Sequence, residues 1–257
     1  MIDIGCYIPC RDDSANLNTC VNALLNQTLK PKQIVVLNDG SDDEVNELGD
    51  FYGFKPVNLP GHEKSYVGSP EMAILHNVGL KILDEIDSYD YVLVLGADNI
   101  LPPHYLMNLA NSMKNDDVVV GSGLLSGENT HDVRGGGRLI DYSFFKSVGL
   151  QYPVNYGWES WILFKARSMN RQCKVYPLYF DGSRRTHYVN RGKDMRALGY
   201  DFRYALGRCF LLFFKSPLTA LKTLFTYLFS DVERLDVADF VKTYQRKEFW
   251  RRLNLFE

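Results

Sequence analysis

Three short apolar runs in this 257-residue chain each break off into polar residues that include a carboxylate. The run at 2–9 gives way to Cys10-Arg11-Asp12, that at 33–37 to Asn38-Asp39-Gly40-Ser41, and that at 91–95 to Gly96-Ala97-Asp98-Asn99. In open α/β sheets, ligands bind outside the carboxyl ends of the strands. A carboxylate there accepts hydrogen bonds from a nucleobase edge or a ribose hydroxyl, or ligates a hard cation. The same residues have ordinary structural uses: Asp-Gly-Ser forms a turn, and Asp98 suits a helix cap. The chain has no GxGxxG and no GxxxxGK[ST], so dinucleotide and P-loop readings lack their glycine loops.

The elements that must hold these residues follow from periodicity. Residues 2–9 and 33–37 read as buried strands. Between them Leu17, Val21, Leu24 and Leu25 recur at helical spacing, with Asp12, Asp13 or Ser14 as cap and Pro31 as stop. Strand, helix, strand at this spacing predicts a parallel pair with a right-handed crossover. The pattern repeats with a strand over 54–59 and a helix over 69–86 that carries Met72, Leu75, Val78, Ile82 and Ile86 on one face. The strand at 91–95 follows, then a helix opened by Pro102-Pro103 and running to about 113, then a strand at 118–120. Such alternation predicts an α/β sheet flanked by helices. Residues 121–137 are rich in glycine, and Gly135-Gly136-Gly137 suits an acceptor loop or a plain turn. Residues 141–148 and 158–169 read as helices, and 173–179 as extended.

Bulk properties narrow the class. A net charge of −2 points away from nucleic acid. Five scattered cysteines, with no CxxC pair, suggest neither zinc site nor disulfide framework, which fits a reducing, cytoplasmic compartment. The start lacks the pattern of a signal peptide. No run reaches the roughly 18 apolar residues of a membrane span. The stretch 209–229 is nonetheless apolar, broken only by Lys215, Pro217 and Lys222 among polar residues of note, and a basic segment with Arg184, Arg185, Arg191 and Lys193 precedes it. It reads as a core helix, as a dimer interface, or as a helix in the membrane interface flanked by basic residues and Trp250. The last reading predicts peripheral contact with the cytoplasmic face of a membrane.

Taken in order, Ile8-Pro9-Cys10-Arg11-Asp12, Leu24-Leu25-Asn26-Gln27-Thr28 and the run from Gln33 to Asp42 ending Asn38-Asp39-Gly40-Ser41-Asp42 resemble the start of the family 2 glycosyltransferases. That family writes these pieces as P-x-x-N, L-x-Q-T and D-D-G-S-x-D. Residues 91–106 resemble its metal-site strand, His76-Asn77-Val78-Gly79 its R-N-x-G segment, and Gly157-Trp158-Glu159-Ser160 its G-x-E-D motif. The resemblance spans roughly residues 2–190. It implies a GT-A fold, Rossmann-like, with a mixed, mostly parallel sheet. A catalytic domain at 1–200 would be followed by a helical extension at 201–257.

The resemblance also implies roles. Pro9, Cys10, Arg11, Asp12, Asp39, His76, Asn77, Ala97 and Asp98 would bind a nucleotide-sugar donor of UDP or GDP type. Asp98 and His187 would hold a divalent cation, Mn²⁺ or Mg²⁺. Glu159 would act as the base, with Trp158 and Arg185 on the acceptor side, toward a glycan or lipid-linked acceptor. Transfer would invert the anomeric centre. Two departures stand out: Gly96 replaces the first aspartate of the family's D-x-D, and Ser160 replaces the second acid of its E-D pair. They motivate the alternative of a GT-A-like protein that binds nucleotide sugar or membrane without catalysis. A sugar nucleotidyltransferase ranks last, for want of a glycine-rich phosphate loop after the first strand.

Overall fold

The computed structural model describes residues 2–42, 44–54, 56–128, 132–183 and 190–253, with side chains to residue 248. It divides into two compact units. One is drawn from residues 1–65, 75–151 and 170–184, the other from 66–74, 152–169 and 185–257.

The first unit is built on one sheet. Its strands are β1 (Ile4–Cys10), β2 (Gln33–Asn38), β3 (Val57–Asn58), β4 (Tyr91–Val94), β5 (Val118–Leu125), β6 (Arg138–Asp141) and β7 (Gln172–Phe180). They lie in the order β3-β2-β1-β4-β6-β5-β7. β1 pairs parallel with β2 and β4, β2 with β3, and β5 with β7, while β6 runs antiparallel between β4 and β5. The sheet is therefore mixed and mostly parallel. β4 and β5 are buried along their whole length, and β1 at every position but Pro9. Burial on both faces is why these strands read as continuous apolar runs rather than alternating ones.

Helices α1 (Ser14–Leu25), α2 (Val45–Tyr52), α3 (Met72–Ile86), α4 (Tyr105–Asp116) and α5 (Tyr142–Ser147) accompany the strands. α1 turns Leu17, Cys20, Val21 and Leu24 inward, at the spacing of one helix face. They join Ile4, Ile8, Val36, Leu93 and Leu106 in the main core. Gly79 of α3 lies against Tyr7 of β1. A Cβ there would stand 2.7 Å from the ring, so only glycine permits this helix-to-strand approach.

Two differences from the expected elements have physical causes. The strand expected over 54–59 shrinks to Val57–Asn58, because only Leu37 and Asn38 offer it partners. The glycine-rich middle ends in a strand, β6. Asp141 closes that strand and also caps α5, its Oδ1 accepting from the Phe144 N–H at 2.7 Å.

The second unit is helical: α6 (Trp158–Ser168), α7 (Arg191–Ala197), α8 (Phe202–Phe213), α9 (Pro217–Phe229) and α10 (Ala238–Leu253). Met195, Ala205, Cys209 and Tyr227 bring α7, α8 and α9 together. Gly192 sets the α7–α9 approach, since a Cβ there would meet the Thr223 carbonyl at 2.2 Å. Asp236 ties in α6, accepting from Trp161 Nε1 at 2.6 Å and from Lys165 Nζ at 2.5 Å. No described helix is long and apolar enough to cross a membrane.

Candidate active site

The chain visits β1, β2 and β3 on one side and then crosses to β4, so the topological switch point lies between β1 and β4. Cys10-Arg11-Asp12 and Gly96-Ala97-Asp98 follow these two adjacent parallel strands at the same end of the sheet, and Asn38-Asp39 follows the neighbouring β2 there. The Asp39 N–H donates to the Cys10 carbonyl at 2.9 Å, extending the β1–β2 ladder by one bond.

Asp39 is buried, with 7% of its side chain exposed, and its charge is met locally. His62 Nε2–H donates to Asp39 Oδ1 at 2.8 Å. Arg11 holds that imidazole from the other side: its Nη1 lies 2.6 Å from His62 Nδ1, and its Nη2 donates to the His62 carbonyl at 2.5 Å. His62 Nδ1 is also 2.6 Å from the Lys64 carbonyl. A cation, an imidazole and a carboxylate thus form one connected row. Sequence reasoning missed His62, which lies in the loop beyond the two-residue β3.

The turn after β2 explains its own composition. Gly40 has φ +70°, and a Cβ there would stand 2.8 Å from Gly61 Cα, so glycine is required on both counts. Asn38 Oδ1 accepts from the Ser41 N–H at 3.0 Å. Ser41 Oγ accepts from the Asp12 N–H at 3.1 Å, and Asp12 Oδ1 from the Asp42 N–H at 2.8 Å. These two bonds lock the β1 and β2 ends together. They hold Asp12 at φ +50°, a left-handed conformation that aspartate tolerates better than most residues.

Asp98 sits in a different environment. It is half-buried. Its Oδ1 accepts from Asn99 Nδ2 at 3.2 Å and its Oδ2 from the Ser183 N–H at 3.2 Å, both long bonds. The loop around it is fixed from outside. Gln27 Nε2 donates to the Pro102 carbonyl at 2.8 Å, Gln27 Oε1 accepts from the Leu106 N–H at 3.1 Å, and the Thr28 N–H donates to the Pro103 carbonyl at 2.8 Å. Gln27-Thr28 is therefore a staple on the loop that carries Asp98. Ile100 and Asp181 pair across the same loop. A Cβ at Gly136 would stand 2.1 Å from Asn99 Oδ1, so glycine at this position serves close packing on the Asp98 loop, a use that neither the acceptor-loop nor the plain-turn expectation included. A Cβ at Gly96 would stand 2.8 Å from Asp98 Oδ1, so the Asp98 carboxylate already occupies the space beside residue 96.

His76 is buried and its Nδ1 lies 2.9 Å from the Tyr7 hydroxyl. Burial, with the nearby Arg138 charge second, pushes the imidazole down to about 3, so it stays neutral. Arg138 itself is 2% exposed on β6, its Nε donating to the Arg134 carbonyl at 2.7 Å. Nothing in the sequence pattern marks Arg138 as buried. Asn77 and Pro9 are half-buried, and Cys10 and Ala97 are buried.

In the second unit, Gly157 opens α6 at φ +77°, and Glu159 is exposed in the first turn. The Trp158 ring meets Tyr152 edge-on at 5.2 Å. The Gly157 N–H donates to Asp194 Oδ1 at 2.9 Å. Burial, and the charge of Glu159, raise the Asp194 carboxyl to about 6, against the lowering effect of that N–H and of Arg191. Asp194 also went unread in the sequence, where α7 stands as part of a basic segment. Arg185 and His187 lie outside the described residues.

Among the described residues no three His, Cys, Asp or Glu side chains converge as a metal cage. Mg²⁺ in phosphate chemistry is ordinarily held by one or two carboxylates together with substrate oxygens and water. Asp98 suits that arrangement, as one carboxylate beside a ligand that brings the remaining oxygens.

Residues 6–66 match the family described as Glycosyl transferase family 2. The structure of S. aureus TarS 1–349 in complex with UDP aligns with TM-score 0.58 and 16% identity, over 76% of this chain and 64% of that one. A structure of S. aureus TarS aligns with TM-score 0.57 and 15% identity over 90% of this chain but only 44% of its own length. Glucosyl-3-phosphoglycerate synthase from Mycobacterium tuberculosis, in complex with Mn²⁺, UDP-glucose and phosphoglyceric acid, aligns with TM-score 0.56 and 12% identity over 77% of this chain and 78% of that one. No curated protein matches by sequence. The chain has the GT-A fold of these structures, and residues 6–66 are similar to the family 2 glycosyltransferases. The motifs at 8–12, 24–28 and 33–42 fall within the matched residues 6–66.

Proposed function

We propose that this protein is an inverting glycosyltransferase that moves a sugar from a nucleoside-diphosphate sugar, of UDP or GDP type, to a hydroxyl of a glycan or lipid-linked acceptor. The observation that carries the reading is the Arg11–His62–Asp39 row at the ends of β1 and β2, beside the switch point. The UDP complex of TarS and the UDP-glucose complex of the mycobacterial synthase support it.

In this reading Asp39 accepts from the donor's base or ribose. His62, itself held by Arg11, keeps its carboxylate aimed. Cys10, Asp12, Asn77 and Ala97 line the donor, and Pro9 and His76 shape the wall behind it. Asp98, with His187, would hold a divalent cation, which when bound offsets the charge that builds on the departing diphosphate. Glu159 takes the proton of the attacking hydroxyl as the new C–O bond forms and the bond to the diphosphate breaks. Trp158 and Arg185 would face the acceptor. Asp194 is a positioning residue for Glu159. It fixes the start of α6 through the Gly157 N–H and supplies a second carboxylate where Ser160 withholds one.

The test is release of nucleoside diphosphate from UDP- and GDP-sugars by the wild type and by Glu159→Gln. Loss of on the order of 10²–10⁴-fold in turnover, with donor affinity kept, is the effect expected of a removed general base. Near-normal turnover by the variant would assign the base elsewhere. No release by a folded wild type, with nucleotide still bound, would favour the non-catalytic reading that Gly96 and Ser160 motivate.

A further inference from the structure

The α8–α9 hairpin has two faces. One is spent inside its own unit: Ala205, Cys209 and Leu212 of α8, and Ala220, Thr223 and Tyr227 of α9, point inward at i, i+3, i+4 and i+7 spacings. The other face and the tip are uncovered. Phe210, Phe214, Leu218, Leu221, Phe225 and Phe229 are 57–82% exposed, with Leu218 at the tip the most exposed. Phe210 stacks edge-on with Phe214 at 5.0 Å, and Phe225 lies 5.0 Å from Phe229. These side chains form ordered ridges that present apolar surface outward. A contiguous exposed apolar patch of this kind marks an interaction site.

The charges around the patch choose the partner. From residue 202 to residue 230 the chain carries Arg203, Arg208, Lys215 and Lys222 and no aspartate or glutamate. Lys215 and Lys222 are exposed at the tip and on α9, among the apolar ridges. In a two-fold pairing of copies the same patch faces itself. The four cations of one copy would then meet the same four of the other, with no counter-charge in the hairpin. An anionic lipid surface offers the opposite arrangement, with headgroup charges at the level of the lysines and acyl chains for the phenylalanines and leucines. The flexible lysine stems allow the charge to stay at the headgroups while the ridges sink. At 1.5 Å per residue these helices are about 18–20 Å long, short of the ~30 Å hydrocarbon core. Helices of this length suit a hairpin that rests in such an interface without crossing it.

We propose that the tip and outer face of the α8–α9 hairpin dock this protein on an anionic membrane surface. The proposal goes beyond the transferase reading and stands independently of it, since it uses no residue of the candidate site.

The test is co-sedimentation of the full chain with phosphatidylcholine vesicles and with vesicles that also contain phosphatidylglycerol. The wild type is expected to bind the anionic vesicles at least tenfold better than the neutral ones, less so as salt rises. Phe214→Glu with Leu218→Glu is expected to reduce that binding at least tenfold, with a circular dichroism spectrum like the wild type. Lys215→Glu with Lys222→Glu is expected to erase the preference for anionic lipid while leaving residual binding to both. Absence of wild-type binding to either vesicle overturns the proposal. So does a discrete dimer in solution that Phe214→Glu with Leu218→Glu splits while vesicle binding is unchanged, which would assign the patch to a second copy.

Discussion

Asp39 and Asp98 both follow parallel strands at the same edge of the sheet, yet their surroundings differ. Asp39 is buried, and its carboxylate accepts a 2.8 Å bond from a histidine that an arginine in turn holds. Asp98 is half-buried, and among the described residues its oxygens accept two bonds, both of 3.2 Å. The first is held by side chains of the chain itself. The second is a carboxylate on a loop pinned through its backbone by Gln27 and Thr28, and its bonds among the described residues are long. One site is preorganised through its side chains, the other through the backbone that carries it.

That contrast can be broken in graded steps. The largest effect is expected at Asp39. Asp39→Ala removes the carboxylate to which His62 Nε2–H donates, and kcat/KM for the donor is expected to fall roughly 100-fold, about 3 kcal/mol, as for a lost hydrogen bond to a buried charge. Steady-state kinetics at saturating Mn²⁺ check it, and a change under threefold would remove Asp39 from the donor pocket. Next, Gly136→Ala places a Cβ 2.1 Å from Asn99 Oδ1. It is expected to cost about 2 kcal/mol of stability, read as a lower urea midpoint, while nucleotide affinity changes little because the Asp39 row is remote from it in the bonding pattern.

Asp98→Asn should reduce the enhancement of donor binding by Mn²⁺ about tenfold, about 1.4 kcal/mol, and leave cation-free nucleotide binding in place. Loss of cation-free binding as well would show that the two carboxylates act as one site. The smallest effect concerns Asp194. Its folded-state carboxyl titrates at about 6 against an ordinary 3.8, so between those values the folded protein holds the proton and the unfolded chain does not. Stability therefore falls as pH rises from about 4 to about 6, and the penalty persists above 6. Asp194→Asn should flatten that slope in denaturant titrations, and an unchanged slope would place the titrating group elsewhere.

Much of this was legible in the sequence, for a definable reason. β1, β2 and β4 are buried on both faces, so each appears as an apolar run, and the polar residues at which the runs stop are the candidate site residues. Gln27-Thr28 was visible as part of a motif, but its use as a staple on the Asp98 loop appears only in the fold. His62 was illegible because it is 23 residues beyond Asp39 in a loop without periodicity, and only the sheet brings them together. β6 was hidden because Arg138 and Asp141 bracket just two apolar residues, and because it inserts out of order between β4 and β5. α2 was missed for its brevity, eight residues with only Val45 and Gly49 buried. Asp194 was obscured by the arginines and lysine around it.

The central claim is that the Arg11–His62–Asp39 row receives the nucleotide of a sugar donor. Calorimetric titration of UDP, GDP, CMP and dTDP-sugar, each with and without Mn²⁺, tests it most directly on the wild type and on Asp39→Ala. The account predicts that one nucleotide binds the wild type, that Mn²⁺ strengthens the binding, and that Asp39→Ala loses it in both conditions. A folded wild type that binds none of them, or an Asp39→Ala variant that binds as well as the wild type, would contradict it.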